Sequence, residues 1–178
     1  MSALAGRAVL VTGGAGFIGS HLVDALVAAG ARVRVLDDFS SGRRENLAAP
    51  GTRVEVVEGD VCDERALDHA LAGADTVMHL ATRCVRLSLS DPEDVHRVNS
   101  HGTLRLLLAA RRHGARRVVY VSSSEVYGSG VKVPMTEDHP LEPTTVYGAT
   151  KLAGELYTQA MTRSFGLPTI VVRPFNTP

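Results

Sequence analysis

The sequence predicts an α/β fold: a doubly wound, mostly parallel sheet with helices on both faces. Three observations carry this. Short β-branched apolar runs alternate with longer amphipathic stretches. A glycine-rich turn, Thr12-Gly-Gly-Ala-Gly-Phe-Ile-Gly19, joins the first run to the first stretch. The composition, 44% apolar and 21% charged over 178 residues, is that of one globular domain, so residues 1–178 are assigned to a single domain.

Taken in order, Arg7–Thr12 (RAVLVT) is a buried strand, brief and β-branched. Phe17–Ala29 carries apolar residues at helical spacing and stops at Gly30, a good C-cap. Arg32–Leu36 and Arg53–Val57 are strands. Asp63–Leu71 is a helix with Asp63 as N-cap. Thr76–His79 is the fourth strand. Pro92–His113 reads as one long helix, with Asp91 as N-cap and Pro92 at its first position. Gly102 interrupts that helix at a cost of about 1 kcal/mol, which points to close packing or ligand approach. Arg116–Val121 is a strand, Tyr147–Phe165 a helix ended by Gly166, and Thr169–Val172 the last strand. The stretch from Gly128 to Thr145 holds three of the eight prolines and reads as a surface loop. Right-handed crossovers then give strand order 3-2-1-4-5-6, with a crevice where the halves splay at the strand C-termini.

Several function classes drop out. Nineteen basic residues balance nineteen acidic ones, so the footprint of a nucleic-acid or anionic-membrane binder is missing. No run is long and apolar enough to span a membrane. Four glycines among Gly13–Gly19 make a poor signal-peptide core. Cys62 and Cys84 form no CxxC and read as two reduced thiols of a cytoplasmic protein. Seven histidines without ligand spacing suggest no metal site.

The glycine turn sits after a strand and opens a helix, the context in which backbone N–H groups and a helix N-terminus hold a pyrophosphate. Two registers fit: Gly14, Gly16 and Gly19 spell GxGxxG, and Gly13, Gly16 and Gly19 spell GxxGxxG. An acidic residue at the end of the second strand should take the adenosine ribose hydroxyls. Asp37 stands there, with Asp38 next; a carboxylate repels a 2′-phosphate and favours NAD over NADP, though Arg43 and Arg44 lie close enough to soften that preference. Asp60, in Gly59-Asp60-Val61, is placed either to meet the adenine edge or to cap a helix.

Tyr147-Gly-Ala-Thr-Lys151 puts Tyr and Lys four residues apart on one helix face. Ser122-Ser123-Ser124 clusters hydroxyls at a strand C-terminus, where this fold places ligands. A nearby ammonium and a cationic nicotinamide would lower the phenol pKa from about 10. The phenol could then exchange a proton with a substrate hydroxyl that a serine also holds. Lys132 and Lys151 are the only lysines among nineteen basic residues, which fits a position where Arg cannot serve.

These residues resemble the extended short-chain dehydrogenase/reductase superfamily, in particular the NAD-dependent nucleotide-sugar epimerase/dehydratase family. The motifs that carry the resemblance are the glycine turn, Asp37, Gly59-Asp60-Val61, His79-Leu-Ala81, Asn99 with Gly102-Thr103, Ser122 to Gly128, Tyr147 to Lys151 and Arg173-Pro-Phe-Asn176. The resemblance implies a Rossmann-like domain and the register Gly13, Gly16 and Gly19. It implies NAD contacts from those glycines with Phe17 and Ile18, and from Asp37, Asp60, Val61, Leu80, Ala81, Asn99, Tyr147 and Lys151. Tyr147 would be the acid/base, with Lys151 beside it and Ser123 as hydroxyl partner; Ser124 is the runner-up for that hydroxyl. Ser123, Ser124, Glu125 and Asn176 would meet a UDP- or TDP-hexose, Asn176 at the diphosphate. A sugar hydroxyl, commonly at C4, would be oxidised transiently, in a protein that is a homodimer at full length.

Two departures stand out. Thr82-Arg83-Cys84 follows His79-Leu-Ala81 where the family usually has a small residue and then a polar one; Arg83 reads as solvated rather than substrate-bound. Family members also continue beyond residue 178 into a substrate-binding C-terminal domain. The chain alone is therefore expected to bind dinucleotide without turning over sugar, and to expose an apolar edge at Thr169–Val172. Glu125 tilts the reading toward a 4,6-dehydratase or a uronate decarboxylase as alternatives to an epimerase, although a carboxylate in this place is more often structural. A reductase of steroids or flavonoids, and an NAD-binding module without turnover, are the rival classes.

Overall fold

Residues 4–175 are described in the computed structural model. In β1 (Ala8–Thr12) successive side chains alternate faces, so Leu10 enters one core while Val9 and Val11 enter another. Both layers are apolar because helices cover both faces. Among the described residues six parallel strands form one sheet in the order β3-β2-β1-β4-β5-β6, as the sequence predicts. The others are β2 (Arg32–Asp37), β3 (Val54–Glu58), β4 (Thr76–His79), β5 (Arg117–Val121) and β6 (Thr169–Val172). Val9 pairs with Val33 on one side and Thr76 on the other, which places β1 centrally and aligns the strand C-termini.

Helix α1 (Phe17–Ala28) covers one face through Val23 and Leu26, packed with Val33 and Val35. Helices α2 (Glu64–Leu71), α4 (Thr103–Arg112) and α5 (Val146–Phe165) contribute Leu67, Leu71, Leu106, Leu107 and Met161 to the other core, with Leu10, Val77 and Val118. Each fully buried leucine is worth about 1.5–3 kcal/mol relative to exposure. Caps fix the helix starts: Asp63 accepts from the Arg65 N–H, and Thr145 accepts from the Gly148 N–H at 2.9 Å. Gly166 closes α5 in the left-handed region, at φ +69°.

The expected single helix over Pro92–His113 is broken into three parts. Helix α3 (Pro92–His96) passes into a wider π turn over Arg97–Gly102 before α4 begins. The turn frees carbonyls that side chains collect. The Arg97 carbonyl accepts from the Cys62 thiol at 3.3 Å, and the Asn99 carbonyl accepts from the Thr103 hydroxyl at 2.6 Å. Gly102 resolves toward packing: a Cβ there would stand 2.8 Å from Val61 Cγ2. Other boundaries shift by one residue at fraying ends. Strand β6 lies at a sheet edge with Ile170 and Val172 exposed. Among the described residues no helix is long and apolar enough to cross a membrane.

Candidate active site

A cavity of about 560 Å³ opens at the C-terminal ends of β1, β2, β4 and β5, where the direction of chain winding reverses. The glycine turn forms one wall. Gly13, Gly16 and Gly19 line the cavity, whereas a Cβ on Gly14 would press on Val35 at 2.7 Å. Gly13 rather than Gly14 thus shares this wall with Gly16 and Gly19. A Cβ on Gly19 would stand 2.1 Å from the Gly13 carbonyl oxygen, so only glycine lets the turn and helix meet. Helix α1 starts at Gly16 with no side-chain cap and no acidic residue in its first turn, leaving its N–H groups and positive dipole end open to an anion. Phe17 and Ile18 also line the space.

At the end of β2, Asp37 is buried and faces the cavity. Its carboxylate accepts from the Ala15 N–H and the Phe39 N–H, each at 2.9 Å, so it also shapes the glycine turn. Asp37 is thus no solvated turn residue. Arg44 lies over the Phe39 ring and pairs with Glu58; neither it nor Arg43 lines the cavity. Asp60 and Val61 line the space from the end of β3. Asp60 is not the α2 cap; it accepts from the Cys62 N–H at 2.8 Å and pairs with Arg97 at 2.7 Å, and those contacts hold its carboxyl below the usual range against the opposing effect of burial. Burial pushes the Cys62 thiol up to about 11, which makes it a neutral donor to the π turn rather than a nucleophile.

Leu80 and Ala81 line the cavity after β4. Arg83 departs from its expected solvated state. Only 15% of its side chain is exposed, and the guanidinium pairs with Asp94 at 2.7 Å and Asp38 at 3.0 Å and also holds the Ser40 hydroxyl. All three of its nitrogens donate to protein acceptors at the cavity rim. Asn99 is likewise placed differently from the expected cofactor contact. It is 1% exposed and off the cavity wall; its side chain accepts from the Arg83 N–H and donates to the Arg83 carbonyl and the Thr150 hydroxyl. It pins the loop that carries Arg83.

At the far end stand Ser122, Ser123, Tyr147 and Lys151. The Ser123 and Thr82 hydroxyls stand near the Tyr147 phenol. Its pKa is raised rather than lowered as the sequence suggests, chiefly by burial, with the Glu125 carboxylate adding to the rise while the two hydroxyls oppose it. Lys151 is 3% exposed and donates to the Val121 carbonyl at 2.6 Å. Burial brings its pKa down to about 7, although Glu155 pulls the other way. Glu155 is fully buried and accepts two in-plane hydrogen bonds from one edge of the Arg173 fork, from Nε at 2.8 Å and Nη2 at 2.6 Å. Arg173 also donates to the Tyr127 hydroxyl at 2.9 Å, which anchors the segment whose Pro174 and Phe175 complete the wall. Below the floor His79 bridges the Thr12 and Thr103 hydroxyls, and burial lowers its pKa to about 3, so it is neutral.

Ser124 and Glu125 do not line the cavity, and Asn176 lies outside the described residues. Sequence reasoning put Ser122 in a ligand-facing hydroxyl cluster without giving it a role of its own, and passed over Thr82, Cys84 and Phe175 as cavity residues. Their nearness to the motifs was the only signal. Among the described residues no group of three or more His, Cys, Asp or Glu could hold a metal ion.

The model of the NAD dependent epimerase/dehydratase family matches residues 9–177. The chain is 42% identical over 171 residues to a UDP-glucose 4-epimerase of Azospirillum brasilense, covering 94% of this chain and 48% of that protein. It is 40% identical over 178 residues to a dTDP-glucose 4,6-dehydratase of Streptomyces niveus, covering 94% and 53%. Among solved structures, a dTDP-glucose 4,6-dehydratase from Streptomyces venezuelae with NAD bound superposes with a TM-score of 0.90 at 39% identity, covering 94% of this chain and 55% of that one. The chain spans about half the length of the curated relatives it matches.

Proposed function

Since this chain belongs to the NAD dependent epimerase/dehydratase family, we propose that residues 1–178 are the dinucleotide-binding domain of a nucleotide-sugar epimerase or dehydratase. In this reading NAD occupies the cavity. The observation that carries it is one continuous cleft with the glycine cradle at one end and Tyr147, Ser123 and Lys151 at the other. The residues fit such a group: a cradle too narrow for a Cβ at Gly19, an uncapped helix start and a carboxylate at the end of β2.

When bound, the nicotinamide takes up and returns a hydride. The chain's own residues move the proton. Tyr147 is the acid/base, and Ser123 holds the reacting hydroxyl of a UDP- or dTDP-hexose beside it, commonly at C4. With its raised pKa the phenol is protonated at neutral pH. Lys151, which is half charged near pH 7, lowers the cost of the phenolate as it gains a proton. Gly13, Gly16, Gly19, Phe17 and Ile18 hold the pyrophosphate side, Asp37 the adenosine ribose, and Asp60, Val61, Leu80 and Ala81 the adenine side. The Glu125 carboxylate acts on the Tyr147 phenol while standing off the cleft wall, so the epimerase, dehydratase and decarboxylase arms are separated by assay of the whole protein. A homodimer and a cytoplasmic location belong to the same reading; Cys62 and Cys84, both free thiols, support the second.

The test is calorimetric titration of this chain with NAD and NADP. Wild type binds NAD more tightly, and Asp37→Ala weakens NAD more than NADP. In the whole protein Tyr147→Phe lowers turnover of UDP-glucose or dTDP-glucose by about 10² while NAD affinity holds. Failure to bind NAD overturns the reading; full activity in Tyr147→Phe removes the acid/base assignment, and NAD binding with no turnover in the whole wild-type protein leaves an NAD-binding module.

A further inference from the structure

Among the described residues only two carboxylates are buried, those of Asp37 and Glu155. Asp37 faces the cleft and shapes the glycine turn. Glu155 is fully buried, lines no part of the cleft and takes no part in the proton transfer. Taking a charge wholly out of water is costly, and an apolar pair would join α5 to the end of β6 at least as well as Glu155 and Arg173 do. The carboxylate therefore has work beyond anchoring.

Its place on α5 shows what that work is. Lys151 and Glu155 stand four residues apart, one turn along the buried face of the helix. Gly154 brings this face close to β5, since a Cβ there would stand 2.2 Å from the Tyr120 hydroxyl oxygen. The Tyr120 hydroxyl donates to the Lys151 carbonyl at 3.2 Å, and Lys151 Nζ lies 5.0 Å from the centre of the Tyr120 ring. The ammonium is thus enclosed, with the neutral Val121 carbonyl as its hydrogen-bond acceptor. A carbonyl and a ring face replace only part of the lost water; an opposite charge nearby favours the charged form. Glu155 supplies that charge. Both its oxygens accept from Arg173, at 2.8 and 2.6 Å, so the fork fixes where the charge stands.

We propose that Glu155, held in place by Arg173, is a positioning residue that keeps the Lys151 side chain in its ammonium form beside Tyr147. The inference rests on the role given to Lys151 in the proposed function. The other titratable groups facing Lys151 are Tyr147 on α5, Tyr120 on β5 and His79 on β4. His79 is neutral, and burial shifts both phenols upward. Glu155 alone raises the Lys151 pKa, against burial, and the balance stands at about 7. Without the carboxylate, burial acts unopposed. Opposite charges at close range move a pKa by about one to three units. A fall of about one unit leaves roughly a tenth of the Lys151 side chains charged at pH 7 instead of about half.

The sequence makes this measurable at one site. Lys132 and Lys151 are the only lysines, and Lys132 is exposed. Carbon-13 NMR of the lysine ε-carbons in the ligand-free chain gives one signal from each, and Lys132→Arg assigns them. In wild type Lys151 should titrate near pH 7 and Lys132 near its usual value of about 10.4. In Glu155→Gln the Lys151 midpoint should fall by about one unit or more, with Lys132 unmoved. Glu155→Asp keeps the charge and should recover most of the shift. Glu155→Gln with Arg173→Met removes both charges together; it should show the same fall and decides the matter if the single variant does not fold. In the whole protein, the pH above which turnover of UDP-glucose or dTDP-glucose declines should move down in Glu155→Gln, with kcat affected more than KM. A structural Glu155 would lower the melting temperature and leave the Lys151 midpoint in place. An unmoved midpoint in a folded variant lacking the carboxylate, a wild-type Lys151 that titrates with Lys132, or an unmoved pH profile of turnover overturns the proposal. A wild-type chain that binds no NAD overturns the dinucleotide reading instead, whatever the Lys151 midpoint.

Discussion

Replacing Lys151 with Met should change how stability depends on pH. Lys151 is 3% exposed, its ammonium donates to the Val121 carbonyl, and its pKa falls from the usual 10.5 to about 7. Desolvation drives the shift, and Glu155 one turn along the helix opposes it. Between those two values the unfolded chain holds a proton that the folded chain has released. Unfolding therefore takes up a proton, and stability rises with pH across that window by up to about 1.4 kcal/mol per unit. Below about pH 7 both states are protonated and the contribution is flat at its least favourable level. The other groups facing Lys151 do not titrate in the window: Tyr120 and Tyr147 are both shifted upward by burial, and His79 is neutral throughout. From about pH 7 to about pH 9 the wild type should gain roughly 2 kcal/mol relative to Lys151→Met. Urea unfolding of both proteins at several pH values across that range reads the difference directly. Parallel stability curves for the two proteins would refute the argument and place the ammonium in contact with water.

Two further substitutions probe the framework. Gly19→Ala gains about 1 kcal/mol of helix propensity but puts a Cβ 2.1 Å from the Gly13 carbonyl oxygen. Overpacking of about 1–3 kcal/mol should prevail, with a lower melting temperature and at least tenfold weaker NAD binding; an unchanged melting curve would show that the turn relaxes freely. Glu155→Gln leaves the Arg173 fork facing a neutral amide in a fully buried position, which should cost about 3 kcal/mol in urea unfolding. Pairing it with Arg173→Met should recover part of that loss, because no charge then stays unpartnered.

The fold was legible because its signals are local. Strand runs, Gly16 at the start of α1 and Gly166 at the end of α5 are each decided within a few residues, and right-handed crossovers order the strands. The glycine register was open to spacing and came only from the resemblance, since Gly13 and Gly14 differ in a backbone angle, φ +69° at Gly13 alone, and in the neighbour their missing Cβ would meet, which spacing does not carry. Arg83 was misread for a related reason. Its acceptors, Asp38 and Asp94, lie 45 and 11 residues away, and nothing in the sequence brings them to one guanidinium. Asn99 was drawn into the cofactor set by resemblance, yet its side chain is satisfied by Arg83 and Thr150. The π turn also escaped, because it widens a helix without changing which residues are apolar.

Arg83 has a mechanical consequence. Its guanidinium is a rigid planar fork, and its acceptors come from the segment after β2 and from α3, while its own backbone is clamped by Asn99. Three separate pieces of the cleft rim therefore share one hinge pin. Displacing any one of them tilts the plane away from the other two, so the rim moves as a unit rather than by independent fluctuations. A lysine in this place, with its rotatable point charge, would let each piece breathe alone.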